Sequence, residues 1–322
     1  MAITPQELKI VLPQAEFVRQ ISTTGTTEVT KRVGLGGVTR SKLLTHAISL
    51  DLEGDITSPK LISALLGNQD LTIGVHDLQI TGAEAESIKV AITAKDPLNF
   101  STSLQAKGTA TITPGTPTLP KELFTKSEGT IAINALPTEI NELTINAKRD
   151  VEAVYGGIGA TLAEKMKPSN FKIGTWEYSA DISVVPQAMS DAIKLWDPTE
   201  SKWNIVGQFV DAVDNTHTFG FVLRGCIVSE ASGDADSSSI DASRSIEAEG
   251  FEIGEVASET FVGDGTTKKF TLTGTPLADS VLVRVDGVYT AAFSVSNKEI
   301  TLNSAPANGK SIVISYLKAV TL

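Results

Sequence analysis

The sequence predicts a mainly β protein: a β-sandwich or barrel body with short flanking helices, followed by a small C-terminal β-sandwich. Three observations support this prediction. Apolar and polar residues alternate with a period of two in many short segments, as they do in half-buried strands. Gly, Pro, Asn and Asp separate these segments in the manner of turn residues. Helical periodicity is confined to a few short stretches.

The chain is long for one domain. Its 322 residues, 41% hydrophobic and 20% charged, can bury a substantial core. We predict a body over residues 1–253, a connector over 254–260 and a compact unit over 261–322. In both halves of the body the predicted order is a strand, a short helix and two strands. An internal duplication would give this order, and the alternative prediction is therefore two related lobes, about 1–150 and 151–253.

The N-terminal region combines a helix signal with a long Thr- and Gly-rich segment. Thr4 before Pro5 is an N-cap pattern, so residues 1–22 predict a short helix or an ordered arm. Residues 22–45 predict a long loop or hairpin. The basic residues of this segment are Lys31, Arg32, Arg40 and Lys42. They are candidate contacts with an acidic patch on another subunit, and a solvated loop is the alternative.

The rest of the body reads as strands interrupted by two short helices. His46–Asp55 alternates apolar and polar residues and predicts a half-buried strand. Ser58 and Pro59 then provide an N-cap and a first helical residue, and Gly67 ends the helix that they begin. A second amphipathic helix is predicted at Gln187–Asp197.

The acidic residues are concentrated late in the body. The net charge of −11 argues against contacts that read a nucleic-acid sequence, because those contacts rely on Lys and Arg. If the acidic cluster faces a pore, it forms a wall that repels DNA; a solubilising surface is the alternative. The candidates for this wall are Asp211, Asp214, Asp234, Asp236, Asp241, Glu247 and Glu249. Residues 231–239 within this region predict a polar loop.

We predict no catalytic residues, no cofactor and no metal. The three histidines lie far apart in sequence and lack zinc-binding spacing. Cys226 is the one cysteine, and its apolar strand-like surroundings predict a buried small hydrophobe. The glycines at 261–274 precede a strand rather than a helix, so they predict a turn and not a phosphate loop. The sequence contains no apolar run long enough for a membrane helix.

The C-terminal unit carries a recognisable pattern. FVGDGTTKKFTLTG opens it, RVDGVYT follows, and FSVSNKEITLNSAPANGKSIVISY closes it. The matching positions include Phe261, Val285, Asp286, Gly287, Ile300, Ala305, Pro306, Gly309, Ile314 and Tyr316. This pattern resembles a small β module of tailed-bacteriophage structural proteins. The resemblance implies a virion protein with an Ig-like β-sandwich at its C-terminus.

The body resembles phage tail tube proteins in layout. The shared features are a β-rich core, a short helix between strands, a long hairpin and the closing strand SRSIEAEGF. The resemblance implies a virion structural protein, assembled in the host cytoplasm, whose rings stack into the conduit for genome ejection. The expected rings contain six chains, or three chains if the body is duplicated. Other tail proteins are expected partners, with a sheath among the candidates, and DNA would pass without specific binding.

Two other classes of function remain open from the sequence. One is a different virion component, such as a head decoration or baseplate protein. The other is an adhesion module that binds carbohydrate on the host surface. Such a site needs exposed aromatic side chains, and only 6% of the residues are aromatic.

Overall fold

A computed structural model describes residues 6–10, 15–33, 39–67, 71–75, 78–112, 123–155, 168–184, 202–211, 216–235 and 240–321. The described chain is mainly β, as predicted. The first eleven strands are β1 Gln6–Ile10, β2 Ala15–Val33, β3 Thr39–Asp55, β4 Leu71–Val75, β5 Leu78–Ile92, β6 Asn99–Ile112, β7 Gly129–Ile133, β8 Leu136–Pro137, β9 Ile140–Lys148, β10 Val151–Val154 and β11 Asn170–Ile173. The next five are β12 Glu177–Val184, β13 Trp203–Val210, β14 Thr218–Ala235, β15 Ile240–Ala248 and β16 Gly250–Val262.

Eight of these strands form what we call the main sheet. Its order is β2, β3, β6, β5, β9, β12, β15 and the second half of β14, and every neighbouring pair is antiparallel. The short strand β1 pairs with β2 and with β4, which in turn pairs with β5. The alternation seen in the sequence fits this sheet, because one side of each strand enters the core.

A second sheet of the body is continuous with the main sheet through β14. Residues 218–226 of β14 pair with β13, whereas residues 227–235 pair with β15. β13 also pairs with β7, and β14 with β16. Apolar side chains from both sheets form one core, to which Phe100, Leu104, Ile145, Phe209 and Phe221 belong. The body is therefore a β-sandwich.

The predicted first helix is confirmed as α1, Pro59–Leu66. The backbone N–H of Lys60 donates to Ser58 Oγ at 3.1 Å, which satisfies one of the free donors at the helix start. Leu61 and Leu65 are buried in the core. The indole N–H of Trp176 donates to the Leu66 carbonyl at 3.0 Å and fixes the other end of the helix.

The C-terminal unit is a small sandwich with its own core. Its strands are β17 Lys269–Thr271, β18 Leu282–Val285, β19 Val288–Thr290, β20 Phe293–Ser296, β21 Glu299–Leu302 and β22 Ser311–Ala319. One layer is β17–β21–β20, and the other is β16–β22–β18–β19. Phe270, Val283, Ile300, Ile314 and Tyr316 fill the space between the layers.

Two sequence predictions need correction. The described residues among 1–22 lie in strands β1 and β2 instead of a helix, because β1 pairs with β2 and β4, and β2 pairs with β3, and this pairing overrides the local N-cap signal. Residues 254–260, the predicted connector, lie inside β16, which pairs with β22. The polar loop predicted at 231–239 is strand as far as Ala235. The hairpin at 22–45 is confirmed. The helix predicted at Gln187–Asp197 lies outside the described residues.

Candidate assembly surface and polar sheet face

The β2–β3 hairpin extends beyond the main sheet. β2 pairs with β3 from Phe17 to Val33, but β3 pairs with β6 only from Ile48 onward. In the described part of the chain, residues 39–47 therefore pair with β2 alone. These nine residues form an arm roughly 30 Å long at about 3.3 Å per residue. We call residues 26–33 and 39–47 the hairpin arm.

The four predicted basic contact residues lie together in the hairpin arm. In the register, Arg32 is opposite Arg40, Lys31 is opposite Ser41, and Lys42 is opposite Thr30. The arm also contains one acidic residue, Glu28, opposite Thr45. Four basic residues against one acidic residue give this end of the hairpin a positive charge within a chain of net charge −11.

The β14–β15 hairpin carries the opposite charge. Asp234 is directly opposite Asp241, and Glu230 is opposite Ser245. Residues 229–235 and 240–243 contain three acidic residues, Glu230, Asp234 and Asp241, and no basic residue. We call these two stretches the acidic hairpin.

The hairpin arm and the acidic hairpin lie at opposite ends of the main sheet. From β14 to β3 the sheet takes six antiparallel steps, so these two strands run in the same direction. β14 ends at Ala235 in the acidic hairpin, whereas β3 begins at Thr39 in the arm. The two charged hairpins therefore lie at opposite ends of strands that run in the same direction, and most of the acidic hairpin stays within the sheet, because β15 pairs with β12 from Ala242 onward.

The side of the main sheet that faces away from the core is polar, and we call it the polar face. Its residues share small or charged polar side chains that are exposed or half-buried. They are Asp51, Glu53, Glu86, Ser87, Lys89, Ser101, Ser103, Gln105, Lys107, Glu142, Thr144, Asn146, Lys148, Glu177, Ser179, Asp181, Ser183, Ser243, Ser245 and Glu247. Seven are acidic and three are basic, so the polar face carries a net negative charge.

Hydrogen bonds between neighbouring strands orient two carboxylates on the polar face. Ser103 Oγ donates to Asp51 Oδ1 at 2.6 Å, and the two residues are directly opposite in the register of β6 and β3. Ser245 Oγ donates to Asp181 Oδ1 at 2.7 Å across β15 and β12. These bonds hold the carboxylates along the sheet instead of leaving them free to rotate.

A buried arginine braces one end of the main sheet. Arg149 donates to Glu84 Oε2 at 3.1 Å and to the Ala85 carbonyl at 2.7 Å, where the register of β5 shifts. Its guanidinium lies 4.4 Å from the centre of the Trp176 ring. Burial lowers the pKa of Arg149, while the charge of Glu84 acts in the opposite direction. The arginine thus joins β5, the end of β9 and the segment before β12.

The C-terminal sandwich is packed against the body. Gln208 of β13 donates to the Ser280 carbonyl at 2.9 Å, and the Leu317 N–H donates to Ser280 Oγ at 3.1 Å. Leu317 is fully buried and forms a small cluster with Val206 and Val222 of the body. The two units therefore share an apolar contact in addition to strand β16.

The structure separates the residues predicted for an acidic wall. Glu247 is exposed on the polar face, and Glu249 is an exposed partner of Lys202 in an ion pair. Asp234 and Asp241 belong to the acidic hairpin. Asp211 is buried at 4% exposure. Asp214 and Asp236 lie outside the described residues.

The sequence model of the phage tail tube protein family matches residues 16–195. The matched residues make up more than half of the chain. They extend from β2 to beyond β12. The chain belongs to the phage tail tube protein family. This tail tube protein is therefore a structural component of the phage tail. No curated protein matches the chain. The family match does not include the C-terminal sandwich, whose Ig-like character stays a prediction.

Among the described residues of this tail tube protein, few side chains are placed to bind a metal or to act as a nucleophile. Within the described ranges, no three His, Cys, Asp or Glu side chains converge as metal ligands would. Cys226 is fully buried, and burial raises the pKa of its thiol to about 12. Asp264 accepts from the backbone N–H groups of Thr266 and Thr267 at 2.8 and 2.6 Å, so the glycine-rich segment is a turn. None of the described helices has the length and apolar character to span a bilayer.

Sequence reasoning missed most of the polar face. It singled out a local acidic cluster and found Glu247, but it did not connect Asp51, Glu142 or Asp181 with it. The signal was present in segments such as SLDLEGD and EYSADISV, where small or acidic polar residues occupy every second position. Only the strand order shows that these positions share one face.

Proposed function

We propose that this tail tube protein closes into rings, that the rings stack into a hollow tube, and that the polar face lines the lumen through which DNA leaves the virion. The observation that carries the proposal is the composition of that face: seven acidic residues, three lysines and many serines on one continuous sheet. Duplex DNA carries one negative charge per about 1.7 Å of its axis. A wall of the same sign lets DNA move without adhering to it.

The free edges of the main sheet suit ring closure. In the described part of the chain, residues 227–235 of β14 pair only with β15, and β2 beyond Val18 pairs only with β3. Subunits standing side by side with the same orientation would bring these two edges together as antiparallel neighbours. Sheet extension between subunits would then make a head-to-tail contact that closes by rotation, with the tilt and stagger that a closed sheet requires.

The C-terminal sandwich belongs on the outside of such a tube. Its layer β16–β22–β18–β19 continues the second sheet of the body, which lies across the core from the polar face. A compact unit in the lumen would obstruct DNA, whereas this position leaves the polar face clear. Other tail proteins and a sheath are partners that this outer surface could meet in the host cytoplasm, where the tail assembles.

Negative-stain electron microscopy of the purified chain across a concentration series, with light scattering alongside, tests the proposal. Hollow tubes or rings are the expected result. Their rotational symmetry decides between six chains and three chains with two related lobes each. Monomers at every concentration, even with tail-tip proteins present to initiate assembly, would move the assignment to a decoration, baseplate or adhesion protein.

A further inference from the structure

We infer that the main sheet consists of two copies of one four-stranded unit, and that the joint between the copies, β5 against β9, is repeated between chains as β14 against β2. Three chains then close a ring. The inference rests on the proposed function, because it concerns the rings of the tube, and it gives the number of chains and the residues that meet at each joint. The partner is a second copy of this chain.

The order of the strands supports the inference first. The first half of the main sheet has the order β2, β3, β6, β5, and the second half has the order β9, β12, β15, β14. If the strands of each half are numbered along the chain, both halves therefore have the order first, second, fourth, third. An internal duplication produces the same order of four antiparallel strands twice in one sheet.

Both halves have a hydrogen-bonded aspartate at the same place. Asp51 in the second strand of the first half is directly opposite Ser103 in the fourth strand, whose hydroxyl donates to it at 2.6 Å. Asp181 and Ser245 have the same places in the second half, and their hydrogen bond is 2.7 Å long. These two pairs align the halves residue by residue.

Two β-bulges coincide in this alignment. In the third strand of each half, one extra residue precedes the residue opposite the serine: Glu86 in β5 and Ser229 in β14. In the first strand of each half, one extra residue lies between the partners of the second and third residues after the aspartate: Arg19 in β2 and Asn141 in β9. Bulges are conserved within families, so two bulges at equivalent places indicate that the halves share one origin.

The joint between the two halves is present within the chain. The third strand of the first half, β5, pairs with the first strand of the second half, β9, from Ser87–Lys148 to Ile92–Leu143. The two outer edges of the main sheet are again a third strand, β14, and a first strand, β2. In the described part of the chain, residues 227–235 of β14 and 19–33 of β2 pair on one side only. A neighbouring chain can therefore repeat the internal joint at each edge.

The internal joint specifies the register between chains. In the alignment, Lys89 corresponds to Ser232, and Asn146 corresponds to Thr24. Because Lys89 is opposite Asn146 within the chain, Ser232 should be opposite Thr24 of the neighbouring chain. The full register joins residues 230–235 of one chain to residues 26–21 of the next.

The width of the channel favours three chains over six. Three chains bring about 24 strands to the closed sheet, which at a spacing of about 4.8 Å and a tilt of about 40° is roughly 48 Å across between backbones. Side chains reduce this to roughly 38 Å, enough for duplex DNA about 20 Å wide. Six chains would double the width and leave DNA well beyond the distance of about 8 Å over which charges act at physiological salt.

Paired cysteines test the register and the number of chains together. The variant with Thr24→Cys and Ser232→Cys has one cysteine on each side of the joint between chains, and the native Cys226 is fully buried. Oxidised glutathione should link the new thiols, because a disulfide needs Cα atoms about 4.4–6.8 Å apart, as in neighbouring strands. We expect assembled tubes to give linked dimers and, as the largest product, closed trimers on non-reducing gels and by intact mass.

The equivalent positions inside the chain provide the matched control. Lys89→Cys with Asn146→Cys should form a disulfide within one chain and no linked chains. Thr30→Cys with Ser232→Cys is the off-register control, which should stay unlinked because Thr30 lies about 20 Å along β2 from Thr24. Electron microscopy should show that all the variants assemble like the wild type.

Three results would overturn the inference and leave the proposed function standing. They are rings of six chains, rings that stay unlinked although the internal pair forms its disulfide, and equal linking of the off-register pair. If neither designed pair forms a disulfide, the number of C-terminal sandwiches around each ring decides: three support the inference and six overturn it. Monomers alone at every concentration would overturn both the inference and the proposed function, and microscopy of the same samples distinguishes this case.

Discussion

Leu317 lies so close over Gly220 that a Cβ on Gly220 would fall 2.2 Å from Leu317 Cδ2. Gly220 is opposite Gly254 in the register of β14 and β16, and a Cβ on Gly254 would lie 2.8 Å from the Cβ of Leu317. The two glycines therefore leave the space in which the last strand of the chain packs against the body.

Gly220→Ala should loosen this contact. The added methyl group must displace Leu317 from a fully packed site, and overpacking of this kind typically destabilises a protein by about 1–3 kcal/mol. Urea unfolding followed by fluorescence measures the loss. Gly250→Ala is a matched control in β16, because the nearest atoms to its Cβ are 3.6 Å away. Equal stability of the two variants would contradict the packing argument.

Arg149→Met should destabilise the body more strongly. The change leaves the carboxylate of Glu84 buried without its arginine, and breaking a buried ion pair in this way costs about 3–5 kcal/mol. Thermal unfolding measures the effect. Lys172→Met removes one partner of the exposed pair with Glu152, and should change stability by about 1 kcal/mol or less. Similar losses in both variants would show that Arg149 does not brace the sheet.

The stability of the C-terminal sandwich should fall in acid through Glu259. Burial opposes ionisation of Glu259, but hydrogen bonds from Tyr316 and Thr273 outweigh it and lower the pKa of the carboxyl group. A lowered pKa in the folded state adds stability above the pKa of the unfolded chain, about 4.3 for Glu, and this stability is lost as the pH falls through the folded value.

Glu259→Gln keeps the acceptor oxygen and removes the titration. The difference in unfolding free energy between wild type and variant should therefore be constant at neutral pH and shrink below about pH 4. Asp264, whose pKa the turn hydrogen bonds also lower, remains in both proteins and cancels in the comparison. A difference that does not change with pH would exclude a contribution from Glu259.

Cys226 should be unreactive in the native protein. Its thiol is fully buried, and the raised pKa leaves almost no thiolate at neutral pH. A maleimide reagent should modify the chain in denaturant and should leave it unmodified under native conditions, as measured by intact mass. Rapid native labelling would indicate that β14 opens locally. Cys226→Ala should fold but lose some stability, since it leaves a small cavity in the core.

The polar face should bind DNA when its net negative charge is removed. We expect Asp181→Lys with Glu247→Lys to assemble normally and to bind duplex DNA in a salt-dependent manner, because each lysine contacts phosphates. Fluorescence anisotropy with short duplexes on assembled tubes measures this binding. Glu139→Lys with Glu152→Lys, two exposed sites outside the polar face, is the control. Equal DNA binding by both variants would argue against a lumenal position.

The sequence predicted local structure well where a single segment carried the signal. Period-two alternation in His46–Asp55 identified part of β3, and Ser58 with Pro59 located the start of α1. Asp264 identified a turn, which its hydrogen bonds to Thr266 and Thr267 confirm. These features depend on residues only a few positions apart, so one sequence is sufficient.

The sequence predicted secondary structure less well where a segment pairs with a strand that is distant along the chain. Residues 15–22 become strand because β3 lies beside them, and residues 254–260 become strand because β22 returns more than fifty positions later. The polar face joins Asp51 and Asp181, which belong to strands four places apart in the sheet. Alternation shows which positions point the same way, but strand order alone shows which strands are neighbours.

The ladder between β16 and β22 has a mechanical consequence. Nine consecutive register pairs, from Gly254–Ala319 to Val262–Ser311, join the chain as it leaves the body and as it returns. The two units are thus connected by two hydrogen-bonded antiparallel strands instead of a single flexible segment. Leu317 packs the returning strand β22 against the body. A force applied to the C-terminal sandwich is therefore transmitted through this ladder to the second sheet of the body.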